Sequence, residues 1–88
     1  MIWRVRFSTS AEKYYRRLDA DLRKRIKERL LETADMEDPL DHPQVRPLTG
    51  DLKGFFRLRV GGCRLIFSLL RDEKIIAVVN VFPRGDAY

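Results

Sequence analysis

At 88 residues the chain is long enough for one domain and too short for two, and 44% hydrophobic with 35% charged residues exclude a disordered tail. The single cysteine, Cys63, excludes an internal disulfide and, taken alone, a thiolate metal site, and no apolar run is long enough to cross a bilayer. Eighteen Lys and Arg against 13 Asp and Glu give a net charge of +5 and a pI near 9.8, the footprint of a nucleic-acid binder if the cations converge on one surface.

Residues 2–7 alternate apolar and charged side chains, unlike a signal peptide, so a soluble cytoplasmic protein is expected. The period of two predicts a strand with Trp3, Val5 and Phe7 facing inward and Ile2, Arg4 and Arg6 outward. Thr9-Ser10-Ala11-Glu12 fits a capping box, and Ala11, Tyr14, Tyr15 and Leu18 follow along one helical face. Asp19-Ala20-Asp21 ends this short helix and caps a second, in which Leu22, Ile26, Leu30, Leu31 and Ala34 form the apolar side before a stop at Asp38-Pro39. The interleaved Arg23, Lys24, Arg25, Lys27 and Arg29 read as the solvated side of a helical hairpin. Residues 38–54 carry Pro39, Pro43 and Pro47 and read as a loop, in which His42 is expected on the surface and not as a catalyst.

From Phe55 onward three strands are expected, Phe55–Val60, Cys63–Leu70 and Lys74–Phe82, joined by Gly61-Gly62 and by a turn around Asp72-Glu73. The resulting fold class is α+β: an N-terminal strand, a two-helix hairpin and a three-stranded antiparallel meander in one twisted sheet, helices on one face. Neither an internal repeat nor a linker interrupts residues 1–88, which read as a single domain.

Side-chain direction in the meander carries the functional reading. Phe56, Leu58 and Val60 point one way, and Arg57 and Arg59 the other. A two-residue turn at Gly61-Gly62 pairs Val60 with Cys63, Arg59 with Arg64 and Leu58 with Leu65, so Arg64 joins Arg57 and Arg59. Like charges side by side destabilise a sheet, and a polyanion would relieve them. An exposed strand face with incidental arginines is the plainer reading.

The stretch from Leu48 to Phe67 runs Leu-x-Gly, an aromatic with alternating basic residues, a Gly-containing turn, then Arg64-Leu65-Ile66-Phe67. The last residues, Phe82-Pro83-Arg84-Gly85-Asp86-Ala87-Tyr88, place a tyrosine within a turn of an arginine. This order of motifs resembles the RelE/ParE superfamily of toxins from type II toxin–antitoxin systems, and its RelE branch in particular, over nearly the whole chain. The resemblance implies a RelE-like, microbial-RNase-type fold. It also implies an endoribonuclease that cuts messenger RNA in the ribosomal A site and so inhibits translation. The cut would use neither metal nor cofactor, a ribose 2′-hydroxyl attacking the adjacent phosphate.

Carried over by position, the implied catalytic residues are Arg57, Arg59, Arg64, Arg84 and Tyr88, with Lys53 and the same arginines binding RNA. Arg64 would clamp the scissile phosphate, and Arg57 and Arg59 would stabilise developing charge and hold the attacking hydroxyl. Arg84 would sit nearer the leaving oxygen, and Tyr88 would stack on a base or relay a proton. Two positions depart from the pattern: Arg57 and Arg59 stand where some relatives carry Lys, and Cys63 where an aromatic is common. The implied partners are a cognate acidic antitoxin, messenger RNA and the ribosome, with no membrane. Two other readings stand beside this one, a ParE-like toxin acting on DNA gyrase and a non-catalytic RNA-binding module.

Overall fold

The computed structural model describes residues 2–83, and the expected Arg84 and Tyr88 lie outside them. The chain runs through β1 (Arg4–Phe7), α1 (Thr9–Arg17), α2 (Ala20–Ala34), β2 (Val45–Pro47), β3 (Phe56–Val60), β4 (Cys63–Leu70) and β5 (Ile75–Pro83). The strands form one sheet in the order β1-β5-β4-β3-β2, in which β1 runs parallel to β5 and the other neighbours are antiparallel. The inner face supplies Leu58, Leu65, Phe67, Ile76 and Val78, all buried, and the helices cover it with Ala11, Ile26, Leu30 and Ala34. The α+β architecture with helices on one face is the expected one.

The sheet has one strand more than expected, because Val45–Pro47 pairs with Leu58–Phe56 inside the stretch read as a loop. Three residues are too few to display a period. Pro47 cannot donate to a ladder, which confines β2 to the edge.

Helix α1 is capped one residue earlier than expected. Ser8 is the N-cap, its hydroxyl accepting from the Ala11 amide at 3.1 Å, and Glu12 pairs with Arg16 at 2.9 Å instead of closing a box with Thr9. Ser8 wins because it also joins the sheet: its amide donates to the Val78 carbonyl and its hydroxyl to the Val79 carbonyl, both at 2.8 Å. Asp19 caps α2 as expected, accepting from the Leu22 amide at 2.8 Å.

Val79 is where β5 breaks step. Ile66 faces Asn80 while Phe67 faces Val78, so Val79 is a bulge residue with no partner on β4. Ile76 and Val78 lie in the core before the bulge, and Val81 lies there after it. Unbroken alternation from Val78 would turn Asn80 and Phe82 toward the helices; the bulge turns both to the outer face.

His42, expected on the surface, is only 7% exposed. The Gln44 amide donates to its Nδ1 at 3.1 Å, so the proton of the neutral ring sits on Nε2, which reaches Glu32 of α2 at 3.2 Å. The hydrogen bond from His42 is the main reason the Glu32 carboxyl titrates below its ordinary range, with the charge and hydrogen bond of Arg29 helping and partial desolvation opposing. The Trp3 indole N–H donates to the Glu37 carbonyl at 3.0 Å, and the Trp3 amide to the Ala34 carbonyl at 2.8 Å, tying the end of α2 to β1.

Ser8→Ala removes a helix cap and strips the Val79 carbonyl of a donor, and is expected to lower the unfolding free energy by about 2 kcal/mol in urea titrations. A carboxylate with a depressed folded-state pKa stabilises above its unfolded value, about 4.3, and that contribution is lost as pH falls through the lower folded value. Urea titrations from pH 6 to pH 3 should therefore find wild type ahead of Glu32→Gln at the upper end, with the gap closing toward the lower.

Candidate nucleic-acid interface

The β3–β4 hairpin sets the site. Gly61 takes a φ of +53°, which a two-residue turn of this kind demands and a residue with a Cβ resists. The register is Val60 opposite Cys63, Arg59 opposite Arg64 and Leu58 opposite Leu65, as the turn predicted. Leu58, Val60, Cys63 and Leu65 are buried in the core, which leaves Arg57, Arg59 and Arg64 together on the outer face. Next to them β2 adds Arg46, directly opposite Arg57.

The three guanidiniums differ in environment. Arg59 is exposed, while Arg57 and Arg64 are half-buried. Arg57 stands opposite Ile66, an outer-face residue only 2% exposed, and its Nε is buried without a hydrogen-bond partner among the described residues. Among the described residues neither Arg57 nor Arg59 has an ion pair. A buried N–H donor lacking an acceptor costs about 1–3 kcal/mol, which an anion's oxygen would recover. Beside this ladder lies a polar concavity of about 360 Å³ lined by Arg59, Gly61, Gly62, Cys63 and Arg64. Burial, and secondarily the charge of Asp19, pushes the Cys63 thiol up, so Cys63 is a packing residue and not a nucleophile.

Four neighbours were not legible as site residues. Arg46 belongs to the strand too short to detect. Arg25, read as solvated, comes beside the hairpin turn, its Nη1 3.6 Å from where a Cβ on Gly61 would lie. Asn80 and Phe82 reach the outer face only through the bulge, opposite Ile66 and Arg64 respectively. Of the expected residues, Lys53 is exposed in the turn before β3 and outside the arginine ladder. Arg4 and Arg6 share the outer face from the far edge, opposite Ile75 and Ala77. No cluster of three or more His, Cys, Asp or Glu among the described residues could hold a metal ion, and no described helix is long and apolar enough to cross a membrane. A larger, mainly apolar groove of about 560 Å³ lies on the helical side, lined by Val5, Phe7, Tyr15, Arg16, Leu30 and Leu31 among others, and by none of Arg57, Arg59 and Arg64.

The fold is shared with solved toxin structures. The toxin–antitoxin complex RelBE2 from Mycobacterium tuberculosis aligns with a TM-score of 0.81 at 24% identity, covering 98% of this chain and 95% of that one. The archaeal RelE–RelB complex from Pyrococcus horikoshii gives 0.75 at 28% identity, over 99% and 100%. A YoeB dimer from Staphylococcus aureus gives 0.72 at 24% identity, over the full length of both chains. No curated protein matches the chain in sequence. The family model for the ParE toxin of type II toxin–antitoxin systems matches residues 5–88. With the helix-backed sheet and its arginine ladder, that match places the chain in the ParE toxin family of type II toxin–antitoxin systems, within the RelE/ParE superfamily.

Proposed function

We propose that the protein is a messenger-RNA endonuclease of the RelE kind, working in the cytoplasm on the ribosome and held inactive by an acidic antitoxin. The observation that carries this reading is the outer-face ladder of Arg57, Arg59 and Arg64, with the Arg57 Nε buried and lacking an acceptor among the described residues. In such a reaction the ribose 2′-oxygen bonds to the adjacent phosphorus, the bond to the 5′-oxygen breaks, and the phosphorane between them gains negative charge. Preorganised guanidiniums, two of them already half-buried, lower that barrier with little reorganisation. Arg64 and Arg57 grip the phosphoryl oxygens, and Arg59 orients the attacking hydroxyl. Arginine serves charge here and not proton transfer. Arg84 and Tyr88, outside the described residues, complete the site at the leaving oxygen, where Tyr88 relays a proton; Lys53 holds a flanking phosphate.

The +5 charge favours an acidic partner, and the RelBE2, RelE–RelB and RelBE complexes among the similar structures pair a toxin with its antitoxin. A gyrase-directed ParE-like activity is the second reading, favoured by the name of the family model that matches residues 5–88.

In a purified translation system, primer extension should find ribosome-dependent, codon-phased cuts. Arg64→Ala and Arg57→Ala are each expected to slow cutting at least about 100-fold with the fold intact by circular dichroism. Arg64→Lys should keep only a small part of the rate, since an ammonium lacks the bidentate fork. Intact messenger together with inhibited gyrase supercoiling would establish the ParE-like reading instead. RNA binding without cutting would leave a non-catalytic module.

A further inference from the structure

The bulge at Val79 brings two side chains to the arginine face that neither the charge ladder nor the phosphate chemistry uses. Phe82 stands directly opposite Arg64, and Asn80 directly opposite Ile66, which in turn faces Arg57. The outer face thus holds two parallel rows across three strands: Arg59, Arg64 and Phe82 in one, and Arg57, Ile66 and Asn80 in the next. Directly opposed residues on antiparallel strands have Cβ atoms about 5 Å apart, so an aromatic and a carboxamide lie one strand spacing from the phosphate-gripping arginines. Asn80 is exposed and Phe82 half-buried.

We propose that Phe82 and Asn80 form a subsite for one unstacked nucleobase next to the scissile phosphate, the base lying on the Phe82 ring with its edge toward the Asn80 carboxamide. This rests on the RNA-cutting reading and adds to it the residues that choose the nucleotide. A phosphate held at Arg64 leaves the base of an adjoining nucleotide within reach of β5. Every base has a π-face that an aromatic can bind, and RNA sequence is read mainly on bases splayed out of the helix. The carboxamide presents a donor beside an acceptor, the complement of adenine N6–H and N7. Adenine, with the larger purine surface, is the base this pair selects. Ile66, 2% exposed and standing between Arg57 and Asn80 in the second row, gives the subsite an apolar, water-poor flank.

The test compares wild type, Phe82→Leu, Phe82→Tyr and Asn80→Ala on a pool of messages in the purified translation system, reading cut-site base frequencies together with the concentration dependence of cutting. Wild type is expected to favour adenine at one position beside the cut. Phe82→Leu should raise the half-saturating concentration roughly tenfold with the saturated rate little changed, and flatten the base preference. Phe82→Tyr should restore both, and Asn80→Ala should keep affinity within a few-fold while losing the choice of base. Asn80 is exposed, so its variant folds even where Phe82→Leu does not. If wild type cuts and the variants cut with unchanged base frequencies and affinity, the subsite does not exist and the nuclease reading stands. If wild type leaves messenger intact, the nuclease reading fails and takes the subsite with it.

Discussion

Two hydrogen bonds from one serine organise the arginine-bearing face of the sheet. Ser8 donates from its amide to the Val78 carbonyl and from its hydroxyl to the Val79 carbonyl, while the same hydroxyl accepts the Ala11 amide and starts α1. A bulge leaves ladder groups unpaired, and a buried carbonyl without a donor would erode it. Ser8 supplies that donor at the point where β1 ends. The end of a parallel edge strand, the first turn of a helix and the change of parity in β5 therefore share one residue.

Parity decides what the outer face contains. Side chains alternate strictly along a strand, so a single extra residue exchanges the two faces for everything beyond it. Val81 gains the core, and Asn80 and Phe82 join the arginines. The cost of grouping Arg57, Arg59 and Arg64 is repulsion and partial desolvation, which the hairpin register enforces because the inner-face residues Leu58, Val60, Cys63 and Leu65 are buried and fix it. The core on one side holds the charges together on the other.

The edge strand is held from the helical layer. His42 links Glu32 of α2 to the Gln44 amide, and the Gln44 carbonyl accepts the Arg59 amide at 3.1 Å. A continuous run of hydrogen bonds thus reaches from a helix to the middle of the charged strand. A histidine in a proline-bearing loop gave no sign of this, because its partner Glu32 lies 10 residues earlier in the chain, on α2.

Local pattern was sufficient for much of the molecule. Alternation in Arg4–Phe7 and Phe56–Val60, the four-residue steps of Leu22, Ile26 and Leu30, and the Gly61-Gly62 turn determine strands, helix and hairpin register, and with them the convergence of three arginines. Each depends on interactions within a turn or between adjoining strands, where period and turn chemistry act alone. The tertiary structure decided the rest: β2 exists because β3 offers it an edge, Ser8 displaces Thr9 as cap because β5 lies above it, and Val79 bulges so that Val81 is buried. The edge strand and the bulge place Arg46, Asn80 and Phe82 beside the arginine ladder, and the packing of α2 brings Arg25 to the hairpin turn. They depend on contacts between residues far apart in the chain, whose energies no local window of sequence contains.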